Sequence, residues 1–145
     1  MPYRTLREIV DDQELLHATS DTDVHAAAVR MSERNVAAIL VIDGGVLSGI
    51  FTERDLLRRV VAAGRDPQKT RLGDVMTTEV ACVDAGQPGF EAARVMHDRG
   101  IRHVVITGAG NPVGYGVVSV RDFIAREMAI YERELEFEDR LWEEI

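Results

Sequence analysis

The sequence has one cysteine, Cys82, which excludes an internal disulfide and any thiolate zinc cluster. It has one lysine, Lys69, beside sixteen arginines, so an arginine at any single position says little by itself. It lacks a long apolar run: the longest, Val36 to Ile42, is far short of the roughly 18 residues that cross a membrane. Positive charge is also scarce. With 17 basic and 25 acidic residues the formal net charge is -8, which argues against a nucleic-acid binder that works by neutralising phosphates. The opening MPYRTLREIV has no charged-then-apolar signal pattern, so a cytoplasmic protein is expected.

Catalytic and metal signatures are missing as well. His17, His25, His97 and His103 show no ligand spacing, and no segment resembles a P-loop, a nucleophile elbow or a kinase loop. Cys82, within VACV, is expected to be a small core residue. What is present is the composition of a soluble globular protein, 46% apolar and 29% charged over 145 residues. That length fits one ordinary domain, or two small units that share a core.

The chain repeats itself. VHAAAVRMSERNVAAILVI (24–42) matches GFEAARVMHDRGIRHVVIT (89–107) at an offset of 65, and later segments match at 67 because the turn GAGNPVGY is longer than its counterpart at Asp43-Gly44-Gly45. Each copy reads as helix, strand, turn, strand, helix. In the first, Ser20 to Asp23 caps a helix carrying Val24, Ala27, Ala28 and Met31 at helical spacing. VAAILVI and VLSGIF are strands across a hairpin, and Thr52 begins a helix that should run to Gly64. In the second, residues 88–99 form the helix, 101–107 and 113–118 the strands, and the last helix begins after Ser119. One copy of about 60 residues has too little core; two, related by a pseudo-twofold, can bury their sheets against each other.

Both copies pass from strand to helix through the same pattern: Gly49-Ile50-Phe51-Thr52-Glu53-Arg54-Asp55 and Gly116-Val117-Val118-Ser119-Val120-Arg121-Asp122. Taken singly, a hydroxyl followed three residues later by an acid is a capping box. Two details add to that. The box prefers Glu or Gln where both copies have Asp, and each helix opens at the carboxyl end of a strand, where α/β sheets bind ligands and bare amides attract phosphate. A short carboxylate there is suited to accept protons from two ribose hydroxyls.

These two patterns, with the connecting GDVMTTEVACVDAG, resemble the tandem repeats of the cystathionine-β-synthase (CBS) domain family, and the chain resembles a stand-alone CBS pair over roughly residues 5–127. The resemblance implies an α/β (α+β) fold of two β-α-β-β-α repeats packed as one pseudo-twofold module with a long C-terminal helix. Repeat one, with its N-terminal helix and linker, would span 1–72, repeat two 73–127, and an acidic helical extension 128–145. It implies a regulatory module, not an enzyme, since enzymes with CBS pairs carry a separate catalytic domain. The ligand would be an adenosine-containing molecule in the cleft between repeats, AMP, ADP or ATP before S-adenosylmethionine or NAD, with or without magnesium; no cofactor is required. The other reading is a constitutive dimerisation scaffold that senses nothing.

By the same resemblance, Asp55 and Asp122 would hold ribose hydroxyls, and Thr52 and Ser119 would contact ribose or phosphate. Adenine would lie near Leu15 and Val36 in one copy and near Val80 and Ile101 in the other. Thr77-Thr78 would touch the ligand or start a strand, with Thr78 favoured as the ligand contact. Arg102-His103 enters the second copy's strand where the first has Ala37-Ala38. Arg102 offers a bidentate fork for phosphate and His103 a ring that titrates near neutrality, or a strand-edge histidine. Arg54 and Arg121 either join in or stand as solvated first-turn arginines.

Neither Gly nor Pro occurs between Val117 and Ile145, so a helix from about Val120 to Glu144, ~37 Å long, is expected. From Arg126 on, eight acids and three arginines hold -5 of the net charge. Ile124, Met128, Tyr131, Leu135, Trp142 and Ile145 form one stripe, and Phe123, Ile130, Phe137 and Leu141 widen it. So much apolar surface on one small repeat points to a partner subunit, and a homodimer through this helix is expected, with Trp142 its anchor; the alternative is an end that folds back on its own module or frays.

Overall fold

The computed structural model describes residues 4–143, without the side chains of 124–132. The first half opens with a short helix, α1 (Leu6–Val10), capped by Thr5. Strand β1 (His17–Ala18) precedes helix α2 (Val24–Arg34). The Asp23 side chain accepts from the Ala26 amide at 2.8 Å to start α2, and Asn35 ends it in the left-handed conformation, φ 51°. Strands β2 (Ala38–Asp43) and β3 (Val46–Thr52) follow, joined through Gly44 and Gly45, both at positive φ. Helix α3 (Glu53–Asp55) runs on into a π-helical segment, Leu56–Val61.

The second half repeats this order with α4 (Leu72–Val75), β4 (Cys82–Asp84), α5 (Gly89–Arg99), β5 (His103–Thr107), β6 (Tyr115–Ser119) and α6 (Val120–Glu143). The two sheets have equivalent orders, β1-β2-β3 and β4-β5-β6, each with a parallel pair followed by an antiparallel one. The sequence repeat is therefore a repeat of structure.

Strand alternation explains how the halves join. Ile39, Val41 and Phe51 of the first sheet point to its own helices, and Val104, Ile106 and Val118 do so in the second. The alternate residues Leu40, Ile42, Ile50 and Val105 are buried in a third cluster, with Leu15, Leu47, Val80 and Val117 packed around them. Each fully buried aliphatic side chain of this kind contributes about 1.5–3 kcal/mol.

The lead-in helices are exchanged. Leu6 and Val10 of α1 lie in the second half's core, while Leu72 and Val75 of α4 lie in the first half's. The backbone repeats the exchange: the Leu6 and Arg7 amides donate to Gln87 and Ala85 at 2.8 and 2.9 Å, and those of Leu72 and Gly73 to Thr22 and Ser20 at 2.9 Å each. Residues 72 and 73 divide the sequence, but the hydrophobic clusters cross that division.

Three local expectations are corrected. The helix after Thr52 is not uniformly α: Ala62 and Arg65 donate five residues back, to Leu57 and Val60, and Gly64 follows at φ +72°. Strands β5 and β6 start later than periodicity suggests: Gly100 closes α5 in the left-handed conformation with the Ile101 amide donating to the Met96 carbonyl at 3.0 Å, and before β6 the Asn111 side chain accepts from the Gly114 amide and donates to the Tyr115 carbonyl, both at 2.7 Å. Cys82 is exposed, not core; it lies on the edge strand β4, where alternation turns Val83 inward.

The last helix extends to Glu143 as a single element. Phe123 packs on the second half's core. Ile124, Met128, Ile130, Tyr131 and Ile145 fall outside the described side chains, whereas Leu135, Phe137, Leu141 and Trp142 are 60, 57, 46 and 74% exposed.

Candidate functional site

The third strand of each half, β3 and β6, delivers a hydroxyl residue and an aspartate to a helix start. Registers place Thr52 opposite Ala38 and Ser119 opposite His103. The first helical amide is tied to the residue before the partner strand in both copies: Glu53 donates to the Ala37 carbonyl and Val120 to that of Arg102, at 3.0 Å each. Residues 37–38 and 52–55 are thereby held together, as are 102–103 and 119–122.

The two motifs then diverge. At the first, a capping box closes fully: Asp55 donates its amide to Thr52 Oγ1 at 3.3 Å, and its carboxylate accepts from the Thr52 amide at 3.1 Å and hydroxyl at 3.2 Å. The linker adds Thr77, whose hydroxyl donates to both carboxylate oxygens at 3.2 and 3.3 Å. Arg59 places Nε 3.6 Å from Oδ1 while its Nη1 donates to the carbonyls of Val75 and Met76. Asp55 is 7% exposed and surrounded by partners.

At the second, Asp122 Oδ2 accepts from the Ser119 amide at 2.7 Å and hydroxyl at 3.2 Å, and Oδ1 has no partner among the described residues. The aspartate is exposed, as are Arg102 and Arg121, with Ser119 half-buried beside them. Burial holds the His103 ring below its ordinary basicity, against the pull of the Glu53 and Asp122 carboxylates and with Arg102 and Arg121 adding to the depression. Glu53 belongs to the first half. The second motif, Arg102, His103 and a carboxylate from the other repeat thus share one electrostatic neighbourhood.

The motif glycines have a packing reason. A Cβ on Gly49 would lie 2.6 Å from the Thr77 carbonyl oxygen and 2.8 Å from Met76 Sδ; one on Gly116 would lie 2.9 Å from Val10 Cβ. In both copies the glycine admits the exchanged lead-in segment. Ile50 exchanges backbone hydrogen bonds with Thr77, at 3.0 and 2.8 Å. The corresponding Val117 makes the same pair with the Gln13 side chain, which donates to its carbonyl at 2.8 Å and accepts from its amide at 2.9 Å. An amide side chain replaces the backbone bridge, and among the described residues no threonine reaches Asp122.

The remaining predicted residues are spread around these motifs. Leu15 and Val80 pack on the intersheet cluster, Ile101 on the second half's core, and Val36 is 39% exposed. Arg54 is exposed. Thr78 is exposed and makes no hydrogen bond among the described residues, whereas its neighbour Thr77 does. Sequence reasoning weighed Thr77 with Thr78 but favoured Thr78, and it missed Arg59, Gln13 and Glu53. Arg59 was readable as the i+4 partner of Asp55; Thr77 and Gln13 act across the exchanged segments and carry no local signal.

Two stacked sheets, each ending in a hydroxyl-x-x-Asp helix start, define a tandem-repeat module. The chain belongs to the CBS domain family, whose model matches residues 6–62 and 72–128, each match beginning at an exchanged lead-in helix. The mitochondrial CBS domain-containing protein CBSX3 of Arabidopsis thaliana is 32% identical over 130 residues, covering 86% of this chain and 62% of the relative. The chain thus spans less than two thirds of that relative's length. The CBS domain-containing protein YhcV of Bacillus subtilis is 35% identical over 106 residues, 73% of this chain and 74% of the relative.

Among solved structures, a protein with CBS domains from Burkholderia ambifaria superposes with TM-score 0.76 at 28% identity, over 86% of this chain and 94% of that one. A CBS domain protein of Pyrobaculum aerophilum complexed with AMP gives 0.69 at 23% identity, over 81 and 88% of the two chains. The CBS domain pair of protein MJ0100, in complex with 5′-methylthioadenosine and S-adenosyl-L-methionine, gives 0.71 at 22%, over 88 and 98%. At those last two identities the likeness is one of fold. Among the described residues, no helix is long and apolar enough to cross a membrane.

Proposed function

We propose that this CBS pair is a regulatory module that binds an adenine nucleotide at its second motif and alters the relation of its two repeats for a partner to read. The observation that carries this is the carboxylate of Asp122, whose Oδ1 is open among the described residues, against the saturated one of Asp55. A ribose needs an acceptor with a vacant lone pair, and among the described residues nothing occupies that oxygen. Ser119, Arg102, Arg121 and His103 stand beside it for the phosphates, which favours AMP, ADP or ATP over the sulfonium of S-adenosylmethionine. The AMP-bound fold neighbour supports the ligand class. The Glu53 carboxylate, from the opposite repeat, acts electrostatically on His103, so a ligand that prefers one arrangement of the halves shifts the population towards it.

Thermal denaturation with AMP, ADP, ATP, S-adenosylmethionine and NAD, each with and without Mg²⁺, tests the reading. A ligand at about 100 times its dissociation constant adds about 2.7 kcal/mol. A melting curve that none of these moves would sink it and leave the module a constitutive scaffold.

We also infer that the chain is a homodimer held by α6. The four large apolar residues exposed between Leu135 and Trp142 support this, because water is a costly neighbour for so many on one short stretch. Full-length protein with Leu141→Ser and Trp142→Ser should sediment as a monomer where the wild type is a dimer; an unchanged mass refutes it.

A further inference from the structure

The exposed end of α6 is apolar and acidic together. Residues 133–143 hold five acids and two arginines. Leu135 and Trp142, seven apart, and Phe137 and Leu141, four apart, lie on either side of Glu134 and Glu138 on the helix surface. Arg133, Glu134, Phe137 and Glu138 line a shallow groove there. Two such faces brought together in a tail-to-tail pair would set acid against acid, which disfavours that pairing.

The complementary face lies elsewhere on the chain. In the π-helical segment Leu57 and Val61 are 61 and 64% exposed, although they are large and apolar. Arg58 and Arg65 are exposed beside them and have no ion-pair partner among the described residues. Glu134 and Glu138 likewise have none. One surface offers two aliphatic side chains among arginines, and the other offers larger apolar side chains framing glutamates.

We propose that the acidic, apolar end of α6 docks on the Leu57/Val61 face of a second copy of this chain, the contact being made twice in a closed dimer. A twofold axis makes the exchange reciprocal, each subunit giving its tail and receiving its partner's, so the assembly ends at two. Apolar contacts supply affinity, and the Glu134/Glu138 to Arg58/Arg65 match selects this face over tail-to-tail pairing. The proposal rests on the dimer read above and names what the tail binds.

Charge reversal in full-length protein tests it. Arg58→Glu/Arg65→Glu puts acids on both surfaces, and Glu134→Arg/Glu138→Arg puts arginines on both. Each variant alone should dissociate at least about ten-fold more readily than wild type in sedimentation equilibrium, and an equimolar mixture should recover the dimer as a heterodimer. If Arg58→Glu/Arg65→Glu alone dimerises like wild type while the serine-substituted tail does not, the tail pairs with something other than this face and the proposal fails with the dimer standing. A wild type that is monomeric at every concentration overturns both. Should a reversed variant lose its melting transition, Arg58→Gln/Arg65→Gln and Glu134→Gln/Glu138→Gln take its place. Each is expected to weaken the dimer, and unchanged dissociation constants would refute the docking.

Discussion

Thr77 gives its hydroxyl to both carboxylate oxygens of Asp55, at 3.2 and 3.3 Å, and so the linker between the repeats latches the first motif. Among the described residues nothing does the same at Asp122. Among the described residues, two copies of one sequence pattern therefore differ, one carboxylate committed to the fold and one with an open oxygen.

That difference separates the two conservative substitutions. Asp55→Asn brings an amide donor against the Thr52 amide, the Thr77 hydroxyl and Arg59 in a buried place, and should cost about 1–3 kcal/mol in urea unfolding. Asp122→Asn is an exposed change and should stay within about 0.5 kcal/mol of wild type. It should nonetheless lower AMP affinity about ten-fold or more, since it removes a charged acceptor. Titration calorimetry beside unfolding curves checks both. Equal stability losses at the two positions would mean that both aspartates are only caps.

The linker latch has its own control next door. Thr77→Val removes the hydroxyl over Asp55 and should cost about 1 kcal/mol, while Thr78→Val, at an exposed residue with no hydrogen bond among those described, should be near neutral. Denaturant midpoints at constant slope would show it, and a reversed order would remove the latch from the account.

The halves, the sheets and the last helix were legible in the sequence because each repeats, has a period or lacks helix breakers. Ala27 and Ala92, or Ile39 and Val104, mark equivalent core positions in plain view. The two aspartates were legible as a pair but not as different, because what distinguishes them comes from segments exchanged between halves: Thr77 reaches Asp55 across 22 residues, and Gln13 reaches Val117 across 104. No local pattern announces such contacts. Cys82 was misread for a simpler reason: VACV looks buried until one knows that β4 is a three-residue edge strand.

The signature glycines should be intolerant, and unequally so. Gly49→Ala drives a Cβ against the Thr77 backbone oxygen at 2.6 Å, which only a shift of the linker relieves. Gly116→Ala meets the Val10 side chain at 2.9–3.0 Å, which α1 can yield to in part. Overpacking of this kind costs about 1–3 kcal/mol, with Gly49→Ala at the upper end. Thermal melts of the two variants give the order. If Gly49→Ala is as stable as wild type, the linker does not lie against β3 in solution.

His103 makes stability depend on pH in one direction. Burial holds its folded-state basicity below the ordinary value of 6.5, so between the two values the unfolded chain binds more protons than the native one. Its contribution is complete above pH 6.5 and is lost as the pH falls from there through the depressed value. His103→Gln should flatten that limb of the stability profile. A phosphate bound beside the ring reverses the balance, because an anion favours the protonated form and binding then takes up a proton. AMP should accordingly bind the wild type more tightly at pH 6 than at pH 8, and the His103→Gln variant should lose most of that gain. Calorimetry in buffers of different ionisation enthalpy reads the proton directly; an uptake of none would place the phosphate away from His103.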